Sequence, residues 1–151
     1  FLNFVRSENL QKSNVDIHKL LMDVINLYRR ELEKQQVVIE NQTTGSFMLL
    51  VDVERFKTLL SNLILNAIQA MPGGGKLTIQ TNPENRQIIM KDSGIGINES
   101  DLENIFNLFY TSKSSGTGLG LPTAYKIVKE HGGDITIKSQ PGKGTNVTVQ
   151  L

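Results

Sequence analysis

The sequence predicts an α/β (α+β) fold, in which a mixed five-stranded sheet is covered on one face by three helices. Three segments have apolar residues at helical spacing, and the remaining apolar segments have the short, alternating pattern of strands. The last two strands flank Pro141-Gly142, which suits a type II turn and predicts a hairpin at the end of the chain.

Composition excludes several classes of function. The 151 residues fit one domain, and 16 basic against 15 acidic residues argue against a nucleic acid partner. The absence of cysteine excludes disulfides and thiolate metal sites. No apolar run approaches the roughly 20 residues of a membrane span, and no signal peptide is visible. Because the chain begins at Phe1 rather than Met, we expect a piece of a longer protein with a cytoplasmic domain.

Helical periodicity places the three helices. The first begins at Asp16, a suitable N-cap, and extends to about Lys34. The second begins at Asp52 and stops before the run of glycines that follows Pro72. The third follows a glycine cluster and ends at His131-Gly132-Gly133, where a glycine forms a left-handed C-cap.

The other segments are assigned from alternation and turn residues. Residues 1–14 lack a period and are expected to be the end of an upstream helix and a polar linker. Asn98 with Asp101 predicts a capped short helix as far as Ile105, and 106–117 reads as an irregular loop. Strands are expected at 37–39, at 47–51 as a more fully buried strand, and at 76–81, 87–91, 134–139 and 146–151.

Two glycine clusters favour a nucleotide site. The first is Asp92-Ser93-Gly94-Ile95-Gly96, directly after an apolar strand, and the second is Gly116-Thr117-Gly118-Leu119-Gly120-Leu121, at the start of a helix. Alternate glycines let the backbone approach a ligand closely and leave N–H groups for phosphate oxygens. A helix N-terminus adds its own N–H groups and dipole to such a site.

Polar residues near these clusters have two interpretations each. Asn62, Asn66 and Gln69 share one helical stripe, which is either a solvated face or a source of amide oxygens for Mg²⁺. Asp92 either starts a turn or accepts a hydrogen bond from a buried amino group. Lys113 is either solvated or a mobile charge near a phosphate. Neither histidine has a Cys, Asp or Glu at ligand spacing.

Taken in order, these motifs resemble the catalytic, ATP-binding domain of bacterial sensor histidine kinases, from about Val15 to Leu151. This domain belongs to a superfamily shared with gyrase, heat-shock chaperone and mismatch-repair ATPases. The matching segments are the N box Asn62-Leu63-Ile64-Leu65-Asn66-Ala67, the glycine boxes at 92–96 and 116–121, the F box at 105–111, His131-Gly132-Gly133 and Pro141-Gly142-Lys143-Gly144-Thr145.

The resemblance implies a two-layer α/β sandwich of the Bergerat type that spans 15–151, with ATP and Mg²⁺ as cofactors. Asp92 would bind the adenine amino group, Asn62 and Asn66 would hold the metal, and Lys113 would act at the γ-phosphate as the catalytic residue. Residues 106–116 would form an ATP lid that becomes ordered when nucleotide binds. The implied nucleotide-binding residues are Asn62, Asn66, Asp92, Gly94, Gly96, Ile97, Tyr110, Lys113, Gly116, Thr117, Gly118, Leu119, Gly120 and Thr145.

Two departures from the family pattern matter. Gln69 and Ala70 stand where many members have a basic residue and an aromatic residue, and the phosphoacceptor histidine of the upstream helical domain is absent from this chain. ATP-hydrolysing members and anti-sigma-factor serine kinases have a glutamate where this chain has Asn62. Because an amide cannot accept a proton as a base, the chain resembles the histidine kinases more closely.

The resemblance also implies partners. These are the upstream dimerisation and phosphoacceptor domain and a response regulator receiver domain, with a homodimer in the full-length protein and a monomer for this fragment. Three alternatives stay open: an ATPase with gyrase-like chemistry, an anti-sigma-type serine kinase and a non-enzymatic nucleotide sensor.

Overall fold

The computed structural model describes residues 9–106 and 120–151, and its main element is a five-stranded mixed sheet. The strands are β1 (Lys12–Asp16), β2 (Val37–Gln42), β3 (Met48–Asp52), β4 (Gly75–Asn82), β5 (Gln87–Asp92), β6 (Asp134–Gln140) and β7 (Gly144–Gln150). The helices are α1 (Ile17–Leu27), α2 (Arg29–Lys34), α3 (Val53–Gln69), α4 (Glu99–Leu102) and α5 (Gly120–Glu130).

The sheet has the strand order β2-β4-β5-β7-β6, while β1 and β3 form a separate antiparallel pair. Strands β2 and β4 are parallel, and every other neighbouring pair in the large sheet is antiparallel. This arrangement confirms the predicted mixed sheet, including the terminal hairpin. Gly142 has φ +77° and the Lys143 N–H donates to the Gln140 carbonyl at 3.0 Å, as a type II turn requires.

One face of the sheet is buried beneath the helices. Leu77 and Ile79 of β4 are completely buried, and they join the core with the apolar faces of α1, α3 and α5. On the opposite face, Lys138 and Asn146 are exposed. This alternation between a buried and a solvated face sets which side chains can point toward a site between sheet and helices.

Three local predictions were wrong. A linker was predicted up to residue 14, but the residues from Lys12 onward form strand β1. The exposed side chains of β1 are polar, and backbone hydrogen bonds pair it with β3, so no apolar pattern marks it as a strand. Strand β3 is only half-buried: Met48 and Leu50 are 56% and 60% exposed, since only one face of the β1–β3 pair meets the helices. The first helix breaks at Tyr28, yet Leu32 stays buried, so apolar spacing does not reveal the break.

The capping predictions were more successful. Asp16 accepts the N–H groups of His18 and Lys19 at the start of α1, and Asn98 accepts the Asp101 N–H at 2.8 Å. The helix after Asn98 is shorter than predicted and ends at Leu102, with turns beyond it. None of the helices in 9–106 and 120–151 combines the length and the hydrophobicity that a membrane span requires.

The N-terminus of α3 and the C-terminus of α5 are joined by a set of polar contacts. The Asp52 N–H donates to His131 Nε2 at 3.0 Å, which requires an unprotonated Nε2 and leaves His131 Nδ1–H to donate to the Ile127 carbonyl at 2.7 Å. Glu130, whose side chain is 4% exposed, pairs with Arg55 at 2.7 Å and Lys126 at 3.1 Å. These contacts align the two helices that flank the site described below.

Asp52 gives this junction a pH dependence. Its carboxylate accepts the backbone N–H groups of Gln11 and Arg55, and these bonds lower the pKa of Asp52. A carboxyl group whose pKa is lower in the folded than in the unfolded protein stabilises the fold at pH values above its unfolded-state pKa of about 3.9. This stabilisation is lost as the pH falls through the folded-state pKa.

We therefore expect the difference in free energy of unfolding between wild type and Asp52→Asn to be largest near neutral pH and to shrink as the pH falls below the unfolded-state pKa. Urea unfolding followed across this range measures it. Asp52→Ser keeps a capping oxygen but carries no charge, and its difference from wild type should shrink in the same way. A difference that stays constant with pH would contradict the assignment.

Candidate functional site

A row of three polar residues lies at one end of the helix-facing side of the sheet. In the strand register, Asp92 of β5 lies opposite Leu77 on one side and Thr145 of β7 on the other, and Thr145 lies opposite Ser139 of β6. Residues directly opposite each other share a face, and Leu77 is completely buried beneath the helices. Asp92, Thr145 and Ser139 therefore all lie on the side where helices and sheet meet.

The first glycine loop leaves this row and runs directly against the end of α3. Asp92 Oδ1 accepts the Gly94 N–H at 2.9 Å, so the carboxylate is oriented by its own loop. The Ile95 N–H donates to the Ala70 carbonyl at 2.8 Å. A Cβ on Gly94 would overlap that same carbonyl, so this close approach requires glycine.

The same loop is also joined to the β6–β7 turn. Gly96 has φ +74°, and a Cβ there would overlap the Gln140 carbonyl oxygen. The Ile95 carbonyl accepts the Gly142 N–H at 2.7 Å. The glycines predicted to cradle a ligand thus have a second function, which is to allow backbone-to-backbone contact on both sides of the loop.

Ser139 was not identified from the sequence, although it connects several parts of the site. Its Oγ accepts the Ile97 N–H at 2.8 Å, lies 2.8 Å from Thr145 Oγ1 and 2.9 Å from the Gly144 carbonyl oxygen. Thr145 is 8% exposed. The only sequence signal for Ser139 is its position in the first strand of the hairpin whose second strand carries Thr145. The register of β6 with β7 is needed to show that the two residues are neighbours.

Asn62 and Asn66 lie one turn apart on α3, both half-buried at the edge of its apolar face. Gly120 begins α5 beside them: a Cβ on Gly120 would lie 3.3 Å from Asn66 Oδ1. The end of the second glycine cluster is thereby placed against the asparagine helix. Gln69, which the sequence placed on the same helical stripe, is exposed to solvent, whereas Asn62 and Asn66 are half-buried.

The donor set fits a hard cation bound together with phosphate. Amide oxygens are suitable ligands for Mg²⁺, which usually keeps several waters and takes only one or two protein groups. Across 9–106 and 120–151, no group of three His, Cys, Asp or Glu residues forms a protein-only metal site. The predicted site residues Tyr110, Lys113, Gly116, Thr117, Gly118 and Leu119 lie outside the described residues, as does most of the predicted lid.

Phe106 is the last described residue before that segment. Its ring packs on Tyr125 of α5, with centroids 4.8 Å apart. The Lys129 ammonium lies 5.5 Å from the Tyr125 centroid, and the hydrogen bond with Asp134 raises the pKa of Lys129. The start of the predicted lid is therefore anchored to the helix that also carries Gly120.

Gly96→Ala should lower the free energy of unfolding by more than the roughly 1–2 kcal/mol that a left-handed backbone costs an L-residue. The additional loss comes from overlap with the Gln140 carbonyl. Gly132→Ala is the matched control, since Gly132 has φ +77° and nothing near its Cβ position. Urea unfolding measures the free energy of unfolding of both variants. Equal losses for Gly96→Ala and Gly132→Ala would contradict the close approach of Gly96 to the Gln140 carbonyl.

Comparison with known proteins shows the family to which the chain belongs. A family model described as histidine kinase-, DNA gyrase B- and HSP90-like ATPase matches residues 51–151. Sporulation kinase C of Bacillus subtilis is 37% identical over 139 residues, which cover 89% of this chain and 32% of that protein. Sensor histidine kinase WalK of the same organism is 40% identical over 135 residues, covering 82% and 22%. The chain thus spans about a third or less of the length of these relatives.

Solved structures show the same architecture. The catalytic domain of histidine kinase ThkA, in a nucleotide-free form, matches with a TM-score of 0.83 at 27% identity, over 94% of this chain and 97% of that one. The mycobacterial sensor histidine kinase MprB shares the fold with a TM-score of 0.82 at 23% identity, over 93% and 96%. The chain therefore belongs to the histidine kinase-, DNA gyrase B- and HSP90-like ATPase family.

Proposed function

We propose that this chain is the catalytic domain of a sensor histidine kinase, which binds Mg²⁺-ATP and presents its γ-phosphate to a histidine on a helical domain of the same protein. The observation that carries the proposal is the convergence of two parts: the Asp92–Thr145 pair on the sheet, and the asparagine helix α3. The Ile95–Ala70 hydrogen bond joins these parts directly. Membership of the ATPase family and the kinase relatives support the same function.

Asp92 is the proposed adenine-binding group. Its carboxylate can only accept hydrogen bonds when ionised, so it is suited to the exocyclic amino group of adenine. Its half-buried position at a strand end and its bond from the Gly94 N–H hold it in one orientation. Gly94, Gly96 and Ile97 would shape the adenine pocket through their backbone, and no proton transfer is required of any of them.

Asn62 and Asn66 are the proposed metal-binding residues. A bound Mg²⁺ would neutralise phosphate charge and orient the terminal phosphate for transfer. The Gly120 backbone lies close to Asn66, and α5 begins at Gly120, so the N–H groups and the positive dipole end of this helix would favour phosphate oxygens near Asn66. By family resemblance, Tyr110, Lys113 and the residues of the second glycine box would complete the phosphate site.

The site is proposed to lack a general base of its own. The residue one turn before Asn66 is Asn62, and its amide cannot remove a proton from water or a hydroxyl group. Phosphoryl transfer depends mainly on positioning and charge stabilisation, which this domain can supply. The nucleophile and its base would therefore come from the upstream helical domain, and a response regulator would take the phosphoryl group afterwards.

Asp92→Asn should weaken ATP binding by roughly tenfold or more, because one acceptor is replaced by a group that also presents donors to the adenine amino group. Isothermal titration calorimetry measures the affinity. Asp23→Asn, at an exposed position on α1, is the control and should bind like wild type. Equal affinities for Asp92→Asn and wild type would remove Asp92 from adenine recognition.

Asn66→Ala should weaken ATP binding roughly tenfold when Mg²⁺ is present and far less when the metal is chelated, since the lost group is a metal ligand. Gln69→Ala on the exposed side of the same helix serves as the control. A loss of the same size with and without Mg²⁺ would show that Asn66 acts only through packing or direct phosphate contact.

Incubation of the domain with labelled ATP and the histidine-bearing helical domain of its parent protein tests the kinase activity. Acid-labile phosphohistidine on the helical domain is the expected product. Rapid hydrolysis without transfer would indicate an ATPase, phosphoserine on a partner would indicate a serine kinase, and binding without either would indicate a nucleotide sensor.

A further inference from the structure

The hydroxyl group of Ser139 has only one proton and three polar neighbours, and this fixes how the neighbouring hydroxyl is oriented. The Ile97 N–H can only donate, so Ser139 Oγ is the acceptor of that bond. The Gly144 carbonyl can only accept, so the bond at 2.9 Å uses the single Ser139 proton. Ser139 therefore has no proton left to give to Thr145.

The remaining bond must run from Thr145 to Ser139. The two hydroxyl oxygens are 2.8 Å apart, and with the Ser139 proton directed to Gly144, the Thr145 O–H is the only available donor. The opposite orientation would leave the Ser139 oxygen 2.9 Å from the Gly144 carbonyl with no proton between them, which is repulsive. Thr145 consequently offers only lone pairs to any further ligand.

Thr145 lies directly opposite Asp92 in the register of β5 with β7, so the two side chains are neighbours on the same face. Directly opposite residues have Cβ atoms about 4.5–5.5 Å apart, close enough for both to reach one small group. A carboxylate is also an acceptor and nothing else when ionised. The pair thus offers two acceptors side by side, which matches the two hydrogens of a 6-amino purine.

We infer that Ser139 is a specificity-determining positioning residue: by holding Thr145 as an acceptor, it makes the site select a 6-amino purine over a 6-oxo purine. The inference rests on the proposed function, in which Asp92 meets the 6-position of the purine. A 6-oxo group presents an acceptor, which both Asp92 and Thr145 would oppose. Without Ser139, the Thr145 hydroxyl is free to rotate and donate to that oxygen.

The test compares binding of ATP and inosine triphosphate, which differ at the 6-position and at the adjacent ring nitrogen. Calorimetry on the intact domain gives the ratio of the two affinities for each variant. Wild type should prefer ATP by roughly tenfold or more, and Ser139→Ala should reduce that preference by roughly fivefold to tenfold. Because a partly unfolded variant loses both ligands in proportion, the ratio is insensitive to stability.

Two further variants separate a specificity role from a structural one. Thr145→Val keeps the side-chain shape but removes the acceptor, so it should also reduce the preference for ATP. Ser13→Ala, on the exposed strand β1, should retain the preference.

Each outcome distinguishes this inference from the proposed function. If wild type binds ATP but Ser139→Ala weakens both nucleotides equally, the inference is overturned while the proposed function stands. If wild type binds both nucleotides equally well, the inference is likewise overturned. If wild type binds neither nucleotide, the proposed function fails and the inference fails with it.

Discussion

The close backbone contact of the Asp92–Gly96 loop with its two neighbours is the constraint on which the site depends. The Ile95 N–H bonds to the Ala70 carbonyl at the end of α3, and the Ile95 carbonyl accepts from Gly142 in the β6–β7 turn. One residue thereby connects the helix that carries Asn66 to the hairpin that carries Thr145. Glycine at 94 and 96 is what permits this approach, since a Cβ at either position would overlap a backbone carbonyl. The relative position of the proposed adenine and metal sites is thus determined by main-chain bonds.

A second set of contacts, at the opposite end of α3, controls how that helix meets α5. Asp52 caps α3 and gives its own N–H to His131, while Glu130 is held by Arg55 and Lys126. Moving either cation away from the buried Glu130 carboxylate would leave its charge incompletely paired, which is costly. The ion pairs therefore favour a single alignment of the two helices. That alignment places Gly120 beside Asn66 at the far end. His131, which the sequence placed only at the end of the third predicted helix, therefore acts at a distance from the site through helix orientation.

Sequence patterns predicted the elements with strong local signals, and the family motifs supplied the site residues that are proposed above. Asp52, Asn98 and Gly132 are local signals, because a cap is determined within a few residues. Strand β1 was missed because its first three residues, Lys12-Ser13-Asn14, are polar and because β3, with which it pairs, lies more than 30 residues further along the chain. Ser139 was missed for a related reason, since its importance arises from register with Thr145 rather than from any local pattern. The contact between Gly120 and Asn66 depends on helix packing, which no local pattern encodes.

The bonds around the first glycine loop have both their donors and their acceptors in the protein, so they should form without a bound nucleotide. Native-state amide hydrogen exchange of the nucleotide-free domain tests it most directly at Ile95, Ile97 and Gly142, whose N–H groups make the bonds to Ala70, Ser139 and Ile95. We expect slow exchange at these amides, with opening free energies close to that of global unfolding. Rapid exchange without nucleotide, followed by protection only when ATP and Mg²⁺ are added, would contradict it.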